Sequence, residues 1–205
     1  IDGSVFMAMS PLQINPKSVL DIVERFSDRS VLVLGDIILD SYIWGTVDRI
    51  CPEAPVPVVD VSRDSTMLGG AANVVSNLKA LGARVGLCGV VGSDPEGVEI
   101  GKLLGEMGVS GEGVCVEPDR MTTKKTRVVA GHQQVVRFDC ETRESVRPQT
   151  TQRVVSFLKK RWDDFDAIIV SDYGKGLIHE LLLNELQKMN DRIPKLISID
   201  PKERN

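Results

Sequence analysis

Apolar positions along the chain fall into two alternating rhythms. Residues 31–34 (Val-Leu-Val-Leu) form an unbroken apolar run, the pattern of a strand covered on both faces. Helical spacing takes over at 70–81, where Ala71, Val74, Val75, Leu78 and Leu81 share a face. A second strand follows at 84–91. Asp94-Pro95 then opens a helix carrying Val98, Leu103, Leu104 and Met107, and Gly108 stops it. Pro148 opens another helix through Val154, Val155, Phe157 and Leu158. The stretch 167–170 reads as a strand, 178–189 as a helix and 196–199 as a strand. Near the start, Asn15-Pro16 caps a helix whose apolar face is Val19, Leu20, Ile22, Val23 and Phe26. Repeated strand-helix-strand units predict an α/β fold: a mostly parallel sheet with helices on both faces.

Two segments break this rhythm. Residues 55–61 are β-rich, but Pro55 and Pro57 bar them from a central strand. Residues 122–130 and 134–140 read as two strands joined at Gly131-His132, a hairpin. These pieces predict a small antiparallel β flap beside the main layer, with lid segments near 42–66 and 121–140. A flap of this kind covers a pocket or makes a dimer contact; an ordinary edge extension leaves the same pattern. Residues 1–15 read as a loose N-terminal arm, and 16–205 as one domain. The arm lacks the basic start and apolar stretch of a secretory signal.

Composition narrows the function classes. The 205 residues are 42% hydrophobic, enough for a core. The net charge of −4 and pI near 5.3, with basic residues scattered or paired with acids, argue against a nucleic-acid partner. Cys51, Cys88, Cys115 and Cys140 form no CxxC pair, and His132 and His179 complete no zinc pattern. Reduced thiols in a cytoplasmic protein are the simpler reading. No apolar run reaches membrane-spanning length.

Candidate chemistry gathers where strands end. Three predicted strands run into an acid, at Asp36, Asp172 and Asp200. Ligands of open α/β sheets bind outside the carboxyl ends of the strands, so these acids are expected along one rim. Asp40 is expected one short turn after Asp36. A carboxylate rim suits a polyol, because each carboxylate accepts several hydrogen bonds. Turn capping is the plainer role for any one of these acids. Gly69-Gly70-Ala71-Ala72-Asn73 opens a helix, letting a ligand approach free N–H groups, with Asn73 able to read a hydroxyl; close helix–sheet packing asks for the same small residues. Lys175, Lys202 and Arg137 are cations that could meet a phosphate, whereas Lys125 reads first as a solvated surface cation. The two histidines read as structural, and Trp44, Trp162 and Met107 as packing residues. No GxGxxG follows the first strand, and no GxxxxGK[ST] loop occurs.

At these residues the chain resembles the ribokinase (PfkB-type) carbohydrate kinase family, most closely its heptose 7-phosphate kinase branch. The resemblance is carried by Gly35-Asp36-Ile37-Ile38-Leu39-Asp40, Pro52-Glu53-Ala54-Pro55-Val56-Pro57, Gly69-Gly70-Ala71-Ala72-Asn73, Lys125-Thr126-Arg127-Val128, Gln133-Gln134 through Arg137-Phe138-Asp139, Ser171-Asp172-Tyr173-Gly174-Lys175-Gly176 and Asp200-Pro201-Lys202, in family order. It implies a ribokinase-like fold and phosphorylation of a sugar-phosphate substrate by ATP with Mg²⁺, at the anomeric hydroxyl. It further implies that Asp40, Gly69, Gly70 and Asn73 hold the sugar. Arg137 would meet the sugar or its phosphate with Gln134 nearby, Asp172 and Lys175 would lie on the sugar and phosphate side of the cleft, and Lys202 would approach the transferred phosphate. The family's base-bearing Gly-Ala-Gly-Asp segment and its Asn-x-x-Glu motif are both missing from the 205 residues. The expectation is therefore the N-terminal part of a kinase domain, without the C-terminal half of the fold, holding no catalytic base, inactive alone, and a homodimer through the flap. A non-catalytic sugar-binding or dimerisation module, a nucleoside or fructose-phosphate kinase of the same fold, and, more remotely, a dinucleotide oxidoreductase stay open.

Overall fold

A computed structural model describes residues 16–202, so the arm expected at 1–15 lies outside the described residues. The elements are α1 (Pro16–Glu24), a 3-10 turn (Arg25–Asp28), β1 (Ser30–Gly35), β2 (Ile37–Ile50), β3 (Pro57–Gly70), α2 (Ala71–Ala80), β4 (Arg84–Gly92), α3 (Pro95–Glu106), β5 (Val114–Glu117), β6 (Thr123–Ala130), β7 (Gln133–Cys140), α4 (Pro148–Arg161), a second 3-10 turn (Trp162–Asp164), β8 (Ala167–Ser171), α5 (Glu180–Arg192) and β9 (Leu196–Asp200). No helix among them is long and apolar enough to cross a membrane.

The main layer is a parallel sheet in the order β5-β4-β1-β8-β9. The apolar run at 31–34 lies at its centre, where alternate side chains feed opposite faces. Leu32 and Leu34 point into a core built with Val154, Leu158, Leu182 and Leu186 of α4 and α5. Val33 points into a second core with Ala71, Val75, Ile100 and Leu104 of α2 and α3. All three strand residues are fully buried. Each such side chain contributes roughly 1.5–3 kcal/mol relative to exposure, so this strand anchors both layers.

Some expectations needed correction. On α3, Val98 is 75% exposed and Ile100 takes the core position instead. Leu81 falls just beyond α2 and is largely exposed. The apolar stripe of α1 meets little: Val19, Leu20, Ile22 and Val23 are all exposed among the described residues.

The flap is larger than expected, and it is mixed rather than antiparallel. Its order is β3-β2-β6-β7: β2–β3 and β6–β7 pair antiparallel, but β2–β6 pair parallel. The chain leaves the flap after β3, passes through α2, β4, α3 and β5, and re-enters along β6 in the direction of β2; such a crossover joins parallel strands. Pro57 begins β3 at the sheet edge, where a missing N–H is tolerated. The hairpin at Gly131 forms as expected, with Gly131 at φ 60°.

A single residue, Asp36, separates β1 from β2 and joins the layers. Its N–H donates to the Ser171 carbonyl at 3.1 Å, and its carbonyl accepts the Ala71 N–H at 2.9 Å. Gly70, at φ 55°, makes the turn from β3 into α2 so close to that carbonyl that a side chain there would collide with it. A second junction is Asp94, the N-cap of α3. It accepts the Gly97 N–H at 2.8 Å, the Thr122 hydroxyl at 2.6 Å and the Thr122 N–H at 2.7 Å, fixing the entry to β6.

Candidate active site

The flap stands over the carboxyl ends of β8 and β9, and the gap between them is a cleft of about 550 Å³. Register decides which flap residues face it. Asp40 of β2 lies beside Lys125 of β6, and Tyr42 beside Arg127; across the hairpin, Lys125 opposes Asp139 and Arg127 opposes Arg137. Paired residues share a face, so Asp40, Lys125, Arg127, Arg137 and Asp139 form one charged surface. Asp40 therefore sits within β2, not in a turn as expected: Ile37-Ile38-Leu39 and Tyr42-Ile43-Trp44 on either side are strong strand formers.

The charges on this surface are paired. Arg127 Nη1 lies 2.5 Å from Asp40 Oδ1, and its guanidinium stacks over the Tyr42 ring at 5.3 Å. The bond to Asp40 raises the Arg127 pKa further, outweighing burial. Asp139 receives Lys125 at 3.1 Å and Arg137 at 3.1 Å. Gly69 abuts the Asp40 carboxylate so closely that any side chain there would strike it. The absent Cβ lets Asp40 lie flat against β3.

The opposite wall is the loop after β8. Asp172 Oδ1 accepts the Gly174 N–H at 2.8 Å, and Gly174 (φ 66°) and Gly176 (φ 89°) bend the chain around Lys175. Asp172, Lys175 and Lys202 line the cleft from this side, with Arg137, Lys125 and Asp139 opposite. Lys125 was expected to be a solvated cation; its pairing with Asp139 across the hairpin turns it inward instead. His179 also borders the cleft, with Nε2 3.1 Å from the Thr151 hydroxyl, and burial pushes its imidazole pKa down.

Asp36 does not face the open rim. It is 4% exposed, and Oδ2 accepts the Tyr173 N–H at 2.8 Å and the Lys175 N–H at 3.0 Å. Burial pushes its carboxyl pKa up, with the Lys175 and Tyr173 N–H groups pulling less strongly the other way. Its contacts hold the loop in place rather than reach a ligand. Asp200 is exposed, and its carbonyl accepts the Asp172 N–H at 3.1 Å. Asn73 stands exposed in the first turn of α2, directly after Gly69-Gly70. Gln134 lies toward the hairpin tip, opposite Val129; a bulge between Val128 and Val129 places it on the face of Arg127, but beyond the residues that line the cleft. Asp172 thus lines the cleft and Asp40 shares a flap face with Lys125 and Asp139 that line it, whereas neither Asp40 nor Asn73 is itself among the lining residues.

Sequence reasoning missed three groups here: Arg127, Arg143 and Glu141. Only Arg127 left a signal, two residues from Lys125 and so on the same strand face. Among the described residues no group of three His, Cys, Asp or Glu side chains converges as a metal would require. These residues do not by themselves make a Mg²⁺ site.

The pfkB family carbohydrate kinase model matches residues 28–203. The bifunctional protein HldE of Citrifermentans bemidjiense is 44% identical over 186 residues, which is 91% of this chain and 38% of that protein. HldE of Helicobacter hepaticus is 45% identical over 172 residues, 84% of this chain and 36% of that protein. The chain thus spans well under half the length of these relatives. Among solved structures, phosphofructokinase-2 from Escherichia coli in complex with fructose-6-phosphate superimposes with a TM-score of 0.63 at 16% identity, covering 86% of this chain and 55% of that one. A putative phosphofructokinase from Staphylococcus aureus gives 0.64 at 14% identity, covering 83% and 52%. At such identities these two likenesses establish the ribokinase-like fold alone. On the family match and the HldE identities, the chain belongs to the pfkB family of carbohydrate kinases.

Proposed function

We propose that this chain is the acceptor-binding part of an ATP-dependent kinase that phosphorylates D-glycero-D-manno-heptose 7-phosphate at its anomeric hydroxyl. The observation that carries this reading is the cleft itself. Lys125, Arg137, Lys175 and Lys202 line it as cations for a phosphate, and Asp40, beside Lys125 on the same flap face, is the acceptor for hydroxyl groups. The heptose branch enters through the sequence resemblance and through relatives that are HldE proteins.

In this reading the ligand replaces internal partners. Sugar hydroxyls take the Asp40 carboxylate from Arg127, and the phosphate takes cations that Asp139 neutralises. Gly69 and Gly70 serve the site by letting the Asp40 carboxylate and the Asp36 carbonyl pack against them, and Asn73 donates and accepts at the edge of the sugar. ATP supplies the phosphoryl group when bound, with Mg²⁺ as its counter-ion. Lys202, packed against Gly174 at the cleft border, then faces the group being transferred. In this proposal the base that takes the hydroxyl proton is none of these residues, and this chain is inactive alone.

The test is ADP release by the full-length protein with ATP, Mg²⁺ and heptose 7-phosphate. Turnover forming the 1,7-bisphosphate is expected, at a kcat/KM well above that for fructose 6-phosphate or adenosine. Preference for either comparator overturns the substrate assignment, and turnover by the 205 residues alone overturns their inactivity.

A homodimer through the flap is part of this proposal. Val136 and Phe138 lie on the face away from the charged surface and are about half exposed, beside the open edge of β7. A second copy packed there would cover them. Sedimentation velocity is expected to show a dimer that Phe138→Lys dissociates; a wild-type monomer at micromolar concentration rules this out.

A further inference from the structure

Lys175 is held at every polar group it has. Its N–H donates to Asp36 Oδ2 at 3.0 Å, its carbonyl accepts from the Arg120 guanidinium, and its ammonium lies 2.6 Å from Glu141 Oε2. Glu141 is the first residue after β7, where the flap hands the chain back to the main layer. Its side chain is 7% exposed and Lys175's is 13%, so the contact is shielded from solvent. The other Glu141 oxygen meets Arg143 Nε at 2.5 Å. Oε2 receives no well-angled hydrogen bond, so its tie to Lys175 is an ionic contact.

A buried carboxylate needs a reason. Burial pushes the Glu141 carboxyl pKa up, yet Lys175 and Arg143 outweigh burial and bring it below its ordinary value. Lysine carries several rotatable bonds and a large rotamer entropy. Without a fixed partner, its ammonium samples positions that a substrate would have to freeze out. Arg143, held by the same carboxylate, also lines the cleft. One acid thus aims two cations at the space where the cleft meets Arg137 and Lys202.

We propose that Glu141 is a positioning residue, which fixes the Lys175 ammonium at the cleft wall to meet the phosphate of the acceptor. The proposal rests on the kinase reading and adds the residue that sets its preference for phosphorylated acceptors. Glu141 also couples that contact to the flap, because it belongs to the strand exit and Lys175 to the loop below.

The experiment compares wild type, Glu141→Gln, Glu141→Asp and Lys175→Met in the full-length protein. Glu141→Gln is expected to raise KM for heptose 7-phosphate about ten-fold, the scale of one charge-assisted contact, with a much smaller change in kcat and in KM for ATP. Glu141→Asp should fall between. In a Lys175→Met background, Glu141→Gln should add little. An undiminished effect in that background, or a wild-type KM in Glu141→Gln, overturns the proposal. Wild type that turns over no heptose 7-phosphate sinks the kinase reading instead. Calorimetric titration of the same variants with inorganic phosphate then still decides: weaker binding by Glu141→Gln than by wild type is expected, and equal binding, or none by wild type, refutes the role of Glu141.

Discussion

Replacing Asp40 with alanine in the full-length protein is expected to lower kcat/KM for the sugar phosphate by at least about a hundred-fold. The carboxylate is a hydrogen-bond acceptor on the cleft face of β2 and the partner of Arg127 at 2.5 Å. A hydrogen bond to a charged group contributes about 1.5–3 kcal/mol, so losing two hydroxyl contacts costs about 3–6 kcal/mol of transition-state binding. Removing Asp40 also frees a guanidinium that Tyr42 and Asp40 now hold, adding a misdirected cation to the site. Asp40→Asn keeps the shape and one acceptor, and should fall between wild type and alanine. Steady-state kinetics on both variants provide the check, with Asn73→Ala alongside. Near-wild-type constants for Asp40→Ala and Asn73→Ala would remove the sugar from this lip of the fold.

The largest effect on stability is expected at Asp36. Asp36→Ala strands the partly buried N–H groups of Tyr173 and Lys175, each costing about 1–3 kcal/mol, for a total of about 2–6 kcal/mol. Urea unfolding measures it, and a loss under about 1 kcal/mol would show that the loop does not depend on this carboxylate. Asparagine offers the same acceptor without charge and should be far milder. The pH dependence has a definite sign. Burial raises the folded-state pKa of Asp36, so the folded protein binds this proton more tightly than the unfolded chain. The group favours folding most below the ordinary carboxylate range, and that contribution is lost as pH rises through the folded value. Asp36→Asn should flatten this limb of the stability curve.

Much of the fold was legible because its signals are local. The run at 31–34 needs two covered faces wherever it lies, and Asp94-Pro95 caps α3 by a contact three residues long. The four-residue β5 left too little pattern to read, since it depends on β4 for its ladder. The parallel pairing inside the flap was hidden for a similar reason: β2 and β6 are separated by the whole crossover, and the direction of re-entry is a tertiary fact. The site divides along the same line. Asp172, Lys175 and Lys202 could be read from strand ends. Arg127 finds Asp40 across 87 positions, and Glu141 matters only because a distant loop delivers Lys175 to it. The strand-end rule also overreached at Asp36, because two backbone donors claimed its carboxylate before any ligand could.

β9 closes one side of the main layer with an outer edge that no strand covers among the described residues, and Leu196 and Ile199 on it are 74% and 52% exposed. A flat margin of open peptide groups flanked by greasy side chains is a template on which any extended peptide can register itself. That margin is an association surface among the described residues, and its carboxyl end runs toward Lys202 at the cleft border. A capping strand or a lysine at Leu196 would quiet it without touching the chemistry.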